Sequence, residues 1–231
     1  MVLYSMKLSF MIVTYGRVDD VVAILTTMSG LVDELVVVHD GPEIEDTLSA
    51  AESLGAKTHA TEQRMGFATP HRQLTREMCT GDWVLWSDTD ERWEGELLAL
   101  RDEIARIDAL AFETIMVRRH NIHRGSQEMH PRIFKNSSSF RFNDIMHYVH
   151  DGISKPTQID SVWIEHYDVH DQKTPDGKYV HLDYMIDKMK RYKEGQRMNR
   201  LKYANNPNVL NRVSLNYDYD AIIAKLEKQR V

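Results

Sequence analysis

The chain opens with compact blocks of apolar residues separated by polar, glycine-marked breaks. Residues 8–15, LSFMIVTY, form an apolar, β-branched run that stops at Gly16, the pattern of a strand buried on both faces that enters a loop. Residues 19–31 place Val21, Val22, Ile24, Leu25 and Met28 at helical spacing. A second buried strand, residues 34–40 (ELVVVHD), is stopped by Gly41-Pro42, and residues 43–54 predict a helix closed by Gly55. A brief strand at 57–61, a helix at 68–79, a fourth strand at 82–87 (DWVLWS) and an amphipathic helix at 94–107 complete the series. Such alternation specifies an α/β fold: a mostly parallel central sheet with helices on both faces.

Beyond residue 108 the pattern changes to aromatic and polar alternation at 111–119, 129–135, 140–142 and 161–167, which predicts mixed or antiparallel strands that extend the sheet. A long helix at 178–203 and a short one at 219–229 follow. The sequence reading divides the chain into an α/β half (1–108), a mixed β half of the same domain (109–172) and a C-terminal helical extension (173–231), with no internal repeat or low-complexity linker.

Composition narrows the possible functions. The 231 residues are 42% hydrophobic, enough for one substantial core. The formal net charge of -6 argues against a protein that coats nucleic acid, which needs many basic contacts to phosphate. Basic residues gather between Lys173 and Lys202; they suit an anionic acceptor or surface, or simply a solvated helix face. The single cysteine, Cys79, excludes an intramolecular disulfide and points to a reducing compartment, the cytoplasm. No apolar run reaches the ~18 residues of a membrane span, so no integral membrane association is expected.

In an open α/β sheet, ligands sit beyond the carboxyl ends of the strands. Three strand ends carry polar groups: Thr14-Tyr15-Gly16, His39-Asp40-Gly41 and Ser87-Asp88-Thr89-Asp90-Glu91. Asp88 and Asp90 are two apart, so on extended backbone both carboxylates aim one way and could hold Mg²⁺ or Mn²⁺ against a diphosphate. A solvated, helix-capping turn would use the same residues. Position decides between them, because this acidic segment closes the fourth strand of an ordered series.

Four segments resemble, in order and spacing, the family 2 glycosyltransferases of the GT-A (nucleotide-diphospho-sugar transferase) fold, over residues 8–170. SFMIVTYGR is similar to the first strand and donor loop, which carries Thr14, Tyr15 and Arg17; ELVVVHDGPEIED is similar to the segment whose aspartate, here Asp40, contacts the base. Gly66-Phe67-Ala68 with Arg72-Gln73 resembles the region ahead of the diphosphate site, and GDWVLWSDTDER the strand that ends in Asp-Ala-Asp-Glu. PRIFKN and Val149-His150-Asp151-Gly152 resemble segments of bacterial members that build lipopolysaccharide cores and related glycans.

The resemblance implies a metal-dependent, inverting transferase, hexosyltransferase-like, that moves a sugar from a nucleotide-diphosphate sugar to a hydroxyl. The acceptor would be a glycan, lipopolysaccharide-like or otherwise anionic, or a modified nucleobase, the only role left for nucleic acid. Asp88 contacts the donor and, with Asp90 and His166, binds Mn²⁺ or Mg²⁺. Asp151 is the general base, with Glu91, Asp144 and Asp168 also in contention. Trp93 and Phe67 could stack on a sugar or pack beneath a loop.

Three other classes fit less well. A nucleotidyltransferase would need a glycine-rich, basic loop after the first strand, and Tyr15-Gly16-Arg17-Val18 is poor in both. A catalytically inactive carbohydrate- or nucleic-acid-binding module would not require the paired aspartates. The histidines crowded between His120 and His170 suggest zinc, yet His147/His150 and His166/His170 lie in strand or loop patterns, where such pairs diverge.

Overall fold

The computed structural model describes residues 6–65, 69–142, 152–167, 181–202, 205 and 218–230. Its first half follows the expected alternation: β1 (Leu8–Thr14), α1 (Val18–Ser29), β2 (Glu34–His39), α2 (Thr47–Ser53), β3 (Lys57–Ala60), α3 (Thr69–Met78) and β4 (Trp83–Ser87). β1 pairs in parallel with β2 and β4, and β2 with β3. Period-2 alternation sorts the side chains into two layers. Leu8, Phe10, Ile12, Val37, Trp83 and Leu85 meet α1, α2 and α4 (Leu100–Ala109) on one face, whereas Met11, Val36, Val84 and Trp86 meet Cys79 and three phenylalanines on the other.

The second half adds β5 (Glu91–Gly95), β6 (Thr114–Asn121), β7 (Ser126–Lys135) and β8 (Pro156–His166), giving one eight-stranded sheet in the order β3-β2-β1-β4-β7-β6-β8-β5. β4 to β7, β7 to β6 and β8 to β5 are antiparallel, and β6 to β8 is parallel. β4 and β5 are joined by only three residues yet stand at the fourth and last places of the sheet. The sheet therefore curls back on itself, and Trp93 of β5 shares a core cluster with Trp83, Ile115, Ile133 and Ile164.

The structure corrects three expected elements. The helix expected at 94–107 starts later, after a 3-10 turn at Leu97–Ala99, because Glu91 and Trp93 are buried in β5 while Gly95 leaves it at φ 97°. α2 is shorter than the expected 43–54, since Glu45 and Asp46 adopt left-handed conformations and the Glu43 carboxylate accepts from the backbone N–H groups of Leu48 (2.7 Å) and Ser49 (3.2 Å), acting as a cap. Residues 140–142 form no strand beyond a bridge at Arg141; Phe140 and Phe142 instead stack with Phe134 and Trp86.

At the C-terminal end, α5 (Leu182–Lys202) and α6 (Tyr219–Glu227) build a small core of their own from Met185, Ile186, Tyr219, Ile223 and Leu226. The basic face of α5 is largely neutralised: Lys190 pairs with Glu227, Arg191 with Asp187, Lys193 with Asp220 and Arg197 with Glu194. Among the described residues no helix is long and apolar enough to cross a membrane.

Candidate active site

Because the turn Asp88-Thr89-Asp90 links β4 to β5, it lies on the seam where the curled sheet closes. Side chains from β6, β7 and β8 converge there. A β-bulge opposite Ile115 and Met116 leaves Arg132 of β7 without a ladder partner, and a bulge re-aims the side chain it carries. The Arg132 guanidinium, 1% exposed, lies 3.8 Å from the Trp86 ring centroid, pairs with Glu91 and stands 3.6 Å from Asp88. Glu91 is fully buried; its Oε2 accepts from Ser87 Oγ (2.8 Å) and the Asp88 N–H (2.9 Å), and Arg119 of β6 stands 3.6 Å from Oε1.

Asp88 is bound on its other side by Arg72 of α3, whose guanidinium lies 4.7 Å from the same Trp86 ring. Burial alone would raise the Asp88 carboxyl, but Arg72 and Arg132 outweigh it and hold the group well below the usual carboxylate range. Asp90 points away from these arginines. Its Oδ2 lies 3.5 Å from His166 Nε2 and 3.9 Å from Arg17 Nη1. Burial pulls the His166 imidazole down, and the Asp90 carboxylate more than reverses this, so its pKa is raised.

His166 is oriented from behind by Asn121, whose Oδ1 lies 2.9 Å from Nδ1. The Asn121 amide donates to Ser126 Oγ and Glu128, so its carbonyl faces the ring and Nδ1 must carry the proton. With Nδ1 committed to Asn121, Nε2 is the nitrogen that faces Asp90, and the raised pKa describes a ring protonated there and directed at the carboxylate.

The other two strand ends form the neighbouring wall. His39, fully buried, accepts from the Gly16 N–H at Nε2 (3.0 Å) and donates from Nδ1 to the Gly41 carbonyl (2.9 Å), tying the loops after β1 and β2 together. Thr14 Oγ1 donates to the Gly16 carbonyl. Asp40 Oδ1 accepts from the Met65 N–H (2.7 Å) and lies 2.8 Å from His71 Nε2. Tyr15 carries the Arg64 guanidinium 3.4 Å above its ring. From α5, Arg191 lies within electrostatic reach of Arg64 and Asp40, and the half-buried Tyr192 within reach of Arg72 and Asp88, so this helix borders the same cleft.

Thr14, Tyr15, Arg17, Asp40, Arg72, Asp88, Asp90, Glu91 and His166 thus line one continuous region. Gly66, Phe67, Asp144, Asp151 and Asp168 lie outside the described residues. Trp93 is buried in the core cluster, which answers the stacking question in favour of packing. His39 stood out in the sequence only as part of a polar strand end, and His71, Arg119, Asn121 and Arg132 did not stand out as site residues. Arg132 did leave a signal, a charge inside the otherwise apolar PRIF segment.

No protein-family model matches the chain. It is 30% identical over 135 residues to an uncharacterized glycosyltransferase of Rickettsia felis, an alignment covering 55% of this chain and 44% of that protein. The chain thus spans under half the length of that curated relative. Among solved structures it superposes on S. aureus TarS residues 1–349 in complex with UDP-GlcNAc, with a TM-score of 0.56 at 15% identity, covering 89% of this chain and 70% of that one. This is the GT-A glycosyltransferase fold. A second GT-A structure, glucosyl-3-phosphoglycerate synthase from Mycobacterium tuberculosis in complex with Mn²⁺, UDP and glucosyl-3-phosphoglycerate, superposes with a TM-score of 0.51 at 14% identity, covering 71% of this chain and 72% of that one.

Proposed function

We propose that this chain transfers a sugar from a nucleoside-diphosphate sugar to an acceptor hydroxyl. The observation that carries this reading is the convergence, at the seam of a GT-A sheet, of Asp90 and His166 beside two carboxylate-paired arginines and next to the loop that carries Asp40. Tyr15, Asp40 and His71 offer an aromatic face and a hydrogen-bonded carboxylate to the nucleoside. Arg17 and Arg72, which pair with Asp20 and Asp88, would meet the diphosphate.

The donor set fits a divalent cation. Among the described residues no three histidine, cysteine or acidic side chains gather into a complete metal cage. Mg²⁺ and Mn²⁺ need none here, because they take one or two protein ligands and fill the remaining positions from substrate phosphates and water. Asp90 supplies a carboxylate and His166 a pre-oriented imidazole; Asp88 could join only by loosening its hold on Arg72 or Arg132. The bound ion would neutralise charge on the departing diphosphate.

In the reaction the bond from the anomeric carbon to the diphosphate oxygen breaks, its electron pair leaving with the nucleoside diphosphate. The acceptor oxygen forms the new bond from the opposite face, with inversion, and its proton passes to a base. Glu91 holds Arg132, Ser87 and the Asp88 N–H, which makes it a positioning residue in this mechanism; the base is Asp151.

The test is a melting-temperature screen with uridine, guanosine, cytidine and thymidine diphosphates plus Mn²⁺. One pair should raise the midpoint, and Asp90→Asn should abolish the metal-dependent part of the shift. Asp151→Asn should keep the shift and lose transfer. A protein that responds to no nucleotide, or an Asp90→Asn variant that responds as wild type does, overturns the proposal.

A further inference from the structure

Among the described residues, three arginines are more than nine-tenths buried: Arg72, Arg76 and Arg132. Two have carboxylate partners, Asp88 for Arg72 and Glu91 for Arg132. Arg76, 7% exposed, has none. Its Nη2 donates to the Asn136 carbonyl (2.7 Å), and its buried Nε has no partner. Its guanidinium lies 5.6 Å from the Phe134 ring centroid and within electrostatic reach of Glu77, but no carboxylate of the described residues stands within salt-bridge distance, which is costly for a buried guanidinium.

Arg76 lines a cavity of about 630 Å³ together with Arg141 and Lys135. Arg141 also has no carboxylate partner among the described residues; it donates to the carbonyls of Ser138 (2.9 Å) and Phe140 (2.6 Å). The Asn136 amide covers the Cys79 and Gly81 carbonyls (3.1 and 3.0 Å), acceptors that would otherwise repel an anion. Two acids share the wall, Glu77, which accepts from Gln73 Nε2 (2.9 Å), and Asp82, which accepts from the Lys7 N–H (2.8 Å), while Lys135 is paired with Asp108 (2.6 Å). Among the described residues, Arg76 and Arg141 are the two cations of this wall with no carboxylate in salt-bridge range.

We propose that this cavity is an oxyanion site, in which a phosphate group binds between Arg76 and Arg141. It lies at the start of β4, whereas the acidic turn lies at its end; five residues of strand at about 3.3 Å each separate the two by roughly 16 Å. The site is therefore distinct from the donor cleft, and the inference stands independently of the transferase reading. A phosphate there could come from free phosphate or from a phosphodiester within a larger ligand.

The experiment is calorimetric titration of the whole chain with inorganic phosphate and, separately, with dimethyl phosphate, at constant ionic strength. Wild type should bind at least one of the two, the tighter one identifying the source. Arg141→Gln removes an exposed side chain without an ion pair, so the variant should fold normally, and it should weaken binding by about tenfold or more. Arg76→Gln should do the same, whereas Arg17→Gln, at the donor cleft, should bind as wild type. The proposal is overturned if neither anion binds, if Arg141→Gln retains full affinity, or if only Arg17→Gln loses it.

Discussion

Replacing Glu91 by glutamine tests whether the seam is held by charge. Glu91 is fully buried and Arg132 is 1% exposed, so the substitution leaves a guanidinium with little water to replace its partner. Breaking a buried pair from one side typically costs about 3–5 kcal/mol. Asp88 remains 3.6 Å from Arg132 and offsets part of this, which places the expected loss near the lower bound, about 3 kcal/mol. That is a large share of the roughly 5–15 kcal/mol by which a domain is stable. In urea unfolding followed by tryptophan fluorescence, with a slope of about 2 kcal/mol/M, the midpoint should fall by roughly 1.5 M without a change of slope. The paired variant Glu91→Leu with Arg132→Leu removes both charges and should be more stable than the sum of its single changes by about 2 kcal/mol or more. A midpoint shift under about 0.5 M for Glu91→Gln, or strict additivity in the pair, would refute the argument.

Two further substitutions probe the opposite end of the sheet. Burial pushes the Glu34 carboxyl up, but Lys57, Ser9 and Thr80 outweigh it and lower its pKa from 4.5 to about 2; the stability it contributes is present above pH 4.5 and is lost as pH falls toward 2. Glu34→Gln should therefore cost on the order of 2 kcal/mol at neutral pH, with the gap to wild type closing in acid melting curves; a gap independent of pH would exclude the mechanism. At Gly81 an added Cβ would lie 2.7 Å from the Ser9 backbone nitrogen, so Gly81→Ala should lower stability by about 1–3 kcal/mol, and an unchanged melting temperature would show that the β1 backbone yields.

The elements legible in the sequence were those whose burial is local. β1, β2, β4 and α1 were placed to within two or three residues, because apolar blocks bounded by glycine leave few alternatives. β5 escaped because its five residues, ERWEG, include three charges, and Glu91 is buried only through a partner that lies 41 residues away. The site divides the same way. The acidic turn and Asp40 announce themselves at strand ends, while Asn121 behind His166 and His71 beside Asp40 act across 45 and 31 residues, separations at which composition carries no signal.

The closing of the sheet explains why one short acidic turn gathers partners from α3, β7 and β8. On a flat sheet Asp88 and Asp90 would project into solvent beyond β4, and the solvated-turn reading would describe them well. Here the chain passes from the fourth place of the sheet to the last across three residues, which it can do only because β7, β6 and β8 have curled round to bring β5 home. Asp88 consequently meets arginines from α3 and β7, while Asp90, two residues on, meets an imidazole from β8. The two carboxylates that looked equivalent in sequence acquire different partners, one fixed by guanidinium groups and the other left beside a histidine. The carboxylate beside the imidazole and the carboxylate anchored by arginines are thereby separated by a single threonine, and what separates them is the topology of the sheet.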